Sequence, residues 1–115
     1  MSDERLPASI EAAAMLRRIQ AQGGFATILK KGDPHRGTLL LLVTSRGRHA
    51  ASLERTLDFN SGAYRWQAVG PTDSASSEEM ADFLQKRARF DADGWVIELD
   101  IADPERFIAE TTSQG

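Results

Sequence analysis

The chain contains no cysteine. This excludes a disulfide framework, a thiolate nucleophile and every cysteine-based zinc or iron–sulfur site. Histidine is scarce, with only His35 and His49, so any metal centre would have to be built mainly from carboxylates. Long apolar runs are also missing. The longest spans residues 39–43, far short of the roughly 20 residues that cross a bilayer. The first residues, MSDERLPAS, carry acids where a signal peptide would have a basic start and an apolar core. The expectation is a soluble, cytoplasmic protein. No serine stands in a GxSxG context, no GxxxxGK[ST] loop occurs and no Glu-x-Lys pair is present, so the familiar motifs of acyl transfer, phosphate cradling and metal nucleases are all absent.

What is present is enough for one fold. With 115 residues, 41% hydrophobic and 27% charged, the chain matches a single globular domain. The net charge of −3 conceals an asymmetry. Residues 1–55 hold nine basic and five acidic side chains, and residues 56–115 hold five and twelve, giving +4 and −7. Within one domain the halves interleave, so this polarity by itself does not make a basic face.

The pattern predicts an α+β domain over residues 9–110, with flexible tails at 1–8 and 111–115. Ser9 is placed to cap a helix over 9–22, whose Ala12, Met15, Leu16 and Ile19 form one buried stripe. Residues 25–31 read as a strand, and 32–37, GDPHRG, as a turn. Residues 38–44, TLLLLVT, hold the unbroken apolar run 39–43, the mark of a central strand covered on both faces. Further strands are expected at 49–59 and 63–69, with Asn60-Ser61-Gly62 as the turn between them. Ser76 and Glu79 form a capping box ahead of a second amphipathic helix to about residue 89. Trp95, Ile97, Leu99 and Ile101 then alternate along a half-buried strand, and Pro104 opens a short last helix. Short connections favour a mainly antiparallel meander of about five strands packed with two main helices, in the order α-β-β-β-β-α-β.

Two clusters are candidates for chemistry. Asp91, Asp93, Glu98, Asp100 and Asp103 would suit a hard cation, and Asp91-x-Asp93 resembles the opening of a calcium loop. The match breaks at once, because Gly94 comes too early and Trp95-Val96-Ile97 offers no ligands. Turn-forming aspartates and a solvated strand face account for the cluster more simply. The loop KKGDPHRG gathers Lys30, Lys31, Asp33, His35 and Arg36, and such a turn can present N–H groups to an anion. A solvated hairpin turn is the plainer reading. Arg17 and Arg18 complement the end of the first helix, as Arg87 and Arg89 do for the second. An Arg89–Asp91 or an Arg87–Glu98 ion pair would fasten the corner after it. Tyr64, Arg65 and Trp66 resemble a stacking platform, but Tyr64 and Trp66 share the parity expected in the core.

The segments LRRIQAQGGFATILKKGDPHRGTLLLLV and RARFDADGWVIEL resemble a small alphaproteobacterial family known as domain of unknown function 1491. The resemblance rests on Leu16-Arg17-Arg18, the Gly32-Asp33 turn with Gly37, Trp66, and Arg89-Phe90-Asp91 followed by Asp93, Trp95, Val96, Ile97 and Glu98. Ala92 and Gly94 depart from it, standing where members tend to have proline and a bulky apolar residue. The resemblance implies a short cytoplasmic bacterial protein without an assigned activity, cofactor or catalytic residue.

The functional expectation is a non-enzymatic protein-interaction or scaffold module, self-associating or binding a protein partner. A nucleic-acid-associated factor using Arg17, Arg18, Lys30, Lys31 and Arg36 is the second reading, and a metal-dependent enzyme using the acidic cluster the third. No cofactor and no membrane association are expected. The residues singled out for interaction are Arg17, Arg18, Lys30, Lys31, Asp33, Arg36, Arg89, Asp91, Asp93 and Glu98.

Overall fold

The computed structural model describes residues 6–113. Helix α1, Ala8–Ala21, starts one residue before the expected cap. Pro7 occupies the N-cap and contributes no side-chain hydrogen bond. Instead, the free N–H groups of Ala8 and Ser9 donate to the carbonyls of His35 and Pro34, at 3.3 and 2.9 Å, so a distant loop does the work a serine cap would do. The helix ends where Gly23 takes φ +87°, the left-handed conformation that favours glycine.

The remaining elements follow in order: β1 Phe25–Lys30, β2 Leu39–Ser45, β3 Arg48–Leu57, β4 Tyr64–Val69, α2 Ser77–Phe90, β5 Trp95–Asp100 and α3 Pro104–Thr112. The capping box at Ser76 and Glu79 is formed, with both reciprocal bonds present. Of the expected tails, residues 1–5 and 114–115 lie outside the described residues, while Ala8 belongs to α1 and residues 111–112 belong to α3. Among the described residues no helix is long and apolar enough to cross a membrane.

The sheet corrects the expected meander. Its strand order is β1-β5-β2-β3-β4. Strands β2, β3 and β4 do form an antiparallel meander, but β5 inserts between β1 and β2, antiparallel to the first and parallel to the second. The sheet is therefore mixed. The connection from β1 to β2 is long enough to step over one strand, about 10 Å centre to centre. The strand stepped over is the one whose Trp95, Ile97 and Leu99 need neighbours on both sides to be buried.

Strand alternation then sorts the core. On one face, Leu39, Leu41, Val43, Leu53, Trp95, Ile97 and Leu99 meet Ala8, Ala12 and Ile19 of α1 and Phe107 of α3. On the other, Leu40 and Leu42 are also buried, and α2 lies over this side, with its Arg87 paired to Glu54 of β3. Strand β2 is thus covered on both faces, as its unbroken apolar run predicts.

Candidate functional site

Most of the residues singled out in the sequence converge on one corner, where the 31–38 loop meets the 91–94 turn. Gly32 and Gly37 allow the two backbones to touch: a Cβ on Gly32 would lie 2.0 Å from the Asp93 carbonyl oxygen, and one on Gly37 would lie 2.4 Å from it. The contact is fastened by hydrogen bonds. Asp33 N–H donates to the Asp93 carbonyl at 2.8 Å, and the Trp95 indole Nε1–H donates to the Asp33 carbonyl at 2.8 Å. The Lys30 ammonium reaches the carbonyls of Ala92 and Gly94, at 2.8 and 2.6 Å. Thr38 Oγ1–H donates to the Asp91 carboxylate.

The Asp33 carboxylate turns inward on its own loop. It accepts the N–H groups of His35 and Arg36, each at 2.8 Å. Those bonds, Arg36 first and His35 second, hold its pKa below the usual carboxylate value. The two segments, about sixty residues apart in sequence, thereby form a single clasp that also caps α1. The loop is not the solvated β1–β2 hairpin turn expected, because β1 and β2 are not neighbours.

The other candidate residues separate. Arg18 lies over the Phe107 ring, 5.9 Å from its centroid, and Arg17 is exposed on the same half of α1. Lys31, Arg36, Arg89 and Asp93 are exposed around the clasp. Glu98 is half-buried on β5, beneath α2. The expected Arg87–Glu98 pair is replaced by Arg87–Glu54, with Asp91 3.9 Å from the same guanidinium, because Glu54 stands level with Leu40 and Val96 near the C-terminal end of α2, whereas Glu98 lies further along, level with Leu42. Asp100 receives the N–H groups of Arg46 and Gly47, at 3.0 and 3.2 Å, and so supports a hairpin turn in which Arg46 takes φ +54°. Among the described residues no group of three His, Asp or Glu side chains is gathered to hold a metal ion. Within the acidic cluster the carboxylate of Asp91 accepts from Thr38, that of Asp100 from the Arg46–Gly47 turn and that of Asp103 from the Arg106 N–H at the start of α3.

The sheet's two edges differ in a way the sequence did not disclose. Strand β1 carries a bulge between Ile28 and Lys30, a device that discourages a further strand. Strand β4 is regular through all of its pairings with β3 and carries one charge, Arg65. Among the described residues β3 is its only strand partner. Along β4 runs an open groove of about 780 Å³, lined by Trp66, Gln67 and Ala68 of the strand, Phe59 of the hairpin and Ile108 and Thr112 of α3. Phe59 is 90% exposed at its end. Tyr64, expected in the core, is 38% exposed with Arg55 over its ring, and Trp66 is only half-buried. An edge position explains both, and alternation alone could not reveal which strand was last.

The fold recurs in solved structures. A crystal structure of a DUF1491 family protein from Caulobacter crescentus CB15 superposes with a TM-score of 0.77 at 26% identity, covering 90% of this chain and 94% of that one. An NMR structure of a DUF1491 family protein from Caulobacter crescentus CB15 gives 0.72 at 28% identity over 89% and 91%. The solution structure of protein Atu0922 from A. tumefaciens gives 0.70 at 27% identity over 86% and 88%. No functionally curated protein matches. The model of the family described as "Protein of unknown function (DUF1491)" matches residues 6–109, and the chain belongs to that alphaproteobacterial family.

Proposed function

We propose that the protein is an interaction module that accepts an extended protein segment along β4. The observation supporting this reading is the contrast between a bulged edge at β1 and a regular, open edge at β4 with a groove of mixed polar and apolar lining beside it. Strand addition draws affinity from main-chain hydrogen bonds, and specificity from alternate side chains entering an adjacent groove. Here the strand supplies the first, and the space between β4 and α3 supplies the second. The clasp gives this arrangement a rigid support, because it fixes β5 and β2 in the middle of the sheet.

The test is selection from a displayed library of extended peptides, followed by calorimetric titration of the selected sequences. Ala68 is exposed beside Trp66, so Ala68→Arg should fill the groove and abolish binding while leaving the melting temperature nearly unchanged. If no selected peptide depends on Ala68, the reading fails.

A further inference from the structure

We infer that the segment β4 accepts is β4 of a second copy, paired antiparallel about a two-fold axis at Trp66. The inference rests on the strand-addition reading and identifies its partner. It starts from how the strand meets itself. In that register Trp66 stands opposite the partner's Trp66, Tyr64 opposite the partner's Ala68, and Arg65 opposite the partner's Gln67. Each pairing is favourable or neutral. An aromatic meets an aromatic, a large ring meets a small side chain, and the strand's one charge meets an uncharged amide. No like charges oppose one another anywhere along the strand, although the molecule carries 31 charged side chains, 14 basic and 17 acidic.

The sheet's asymmetry favours the same occupant. A molecule with two sticky edges would add copies without end, whereas one with a single open edge closes at two. The bulge at Ile28/Lys30 guards β1, so pairing through β4 forms a closed dimer with one continuous sheet. Specific interfaces bury roughly 800 Å² per partner, more than a six-residue strand supplies alone. Helix α3 packs beside β4, and its Ile108 and Thr112 already line the groove there. A two-fold axis at Trp66 brings the α3 flanks of the two copies side by side above that tryptophan pair and enlarges the interface.

Sedimentation velocity across a concentration series tests this, with two oppositely signed substitutions at one exposed position. Gln67→Glu places a carboxylate opposite Arg65 of the other copy and should tighten the dimer, whereas Gln67→Lys places a like charge there and should weaken it. Each shift is expected to be about three- to tenfold in Kd, since the contact occurs twice per dimer. Both shifts should shrink at high salt. Thr27→Lys on the guarded β1 edge should leave the Kd unchanged.

A wild-type chain that stays monomeric up to about 500 µM overturns the inference. So does a dimer that is indifferent to residue 67 or is broken by Thr27→Lys. A strictly monomeric chain that still binds selected peptides through the Ala68 groove would refute self-pairing and leave the strand-addition module standing. A monomer that binds none would refute both.

Discussion

Gly32→Ala probes the clasp at its tightest point. The added Cβ would stand 2.0 Å from the Asp93 carbonyl oxygen and 2.7 Å from both the Asp93 carbonyl carbon and that of Gly94. All three are backbone atoms, so no flexible side-chain end can move aside. To reach ordinary contact the loop and the turn must part by about 1.5 Å. That motion stretches the Asp33–Asp93 and Trp95–Asp33 hydrogen bonds, now both 2.8 Å, and pulls the turn from Lys30. Overpacking of this kind costs about 1–3 kcal/mol, and each hydrogen bond lost adds about 1 kcal/mol. The expected destabilisation is about 3 kcal/mol, or about 12 °C in melting temperature for a chain of this length. Gly47→Ala is the comparison: Gly47 has φ +79° with nothing within 4 Å of the added Cβ, so only the left-handed backbone cost of about 1–2 kcal/mol applies. Urea titration with an unchanged m-value measures both. A loss for Gly32→Ala no larger than that for Gly47→Ala would refute the clasp.

Two further outcomes are expected. Ser52 is 1% exposed, and its Oγ has no hydrogen-bond partner among the described residues; removing an unpaired buried hydroxyl as Ser52→Ala should raise stability by about 1 kcal/mol, and a lower urea midpoint would contradict the geometry. The Asp33 carboxylate, held below its ordinary pKa by the Arg36 and His35 N–H groups, contributes stability that is complete above the unfolded value of about 3.9 and is lost as pH falls through the lower folded value. A carboxyl-carbon NMR titration should therefore place its midpoint below about 3.9, and Asp33→Asn should flatten the acid limb of the stability curve; a midpoint at or above that value would show the loop bonds to be absent in solution.

Much of the secondary structure was legible because its causes are local. The apolar run of β2, the stripe on α1 and the Ser76–Glu79 box each depend on residues a few positions apart. Strand order depends on the 31–38 loop, whose eight residues suit either a hairpin or a step over one strand. Composition does not choose between these. The choice is made by Gly32 and Gly37, which admit the Asp93 carbonyl, and by Lys30 and Trp95, whose polar atoms reach across about sixty residues of chain. The partners of the acidic cluster were hidden for the same reason. Asp91 and Asp100 look like ligands in sequence because carboxylates recur there, yet each is directed to a hydroxyl or backbone N–H group near the ends of β2, namely Thr38 for Asp91 and Arg46 and Gly47 for Asp100.

That outcome separates the chain's sequence signature from its binding surface. The motif residues Gly32, Asp33, Gly37, Asp91, Asp93 and Trp95 are occupied with one another, through backbone contact and hydrogen bonds that leave little of their chemistry free. What they accomplish is topological: they hold the loop over β5 and thus set which strands lie at the edges. Once β5 is locked between β1 and β2, β1 becomes one edge, guarded by its bulge, and β4 becomes the other. Trp66 is a signature residue that stands apart from the clasp. It lies at the centre of β4, half-buried, where a core tryptophan would be fully covered and a purely solvent-facing strand would not need one. Its position connects the two parts of the molecule. The clasp makes β4 an edge, and Trp66 gives that edge an aromatic surface for a partner strand to cover.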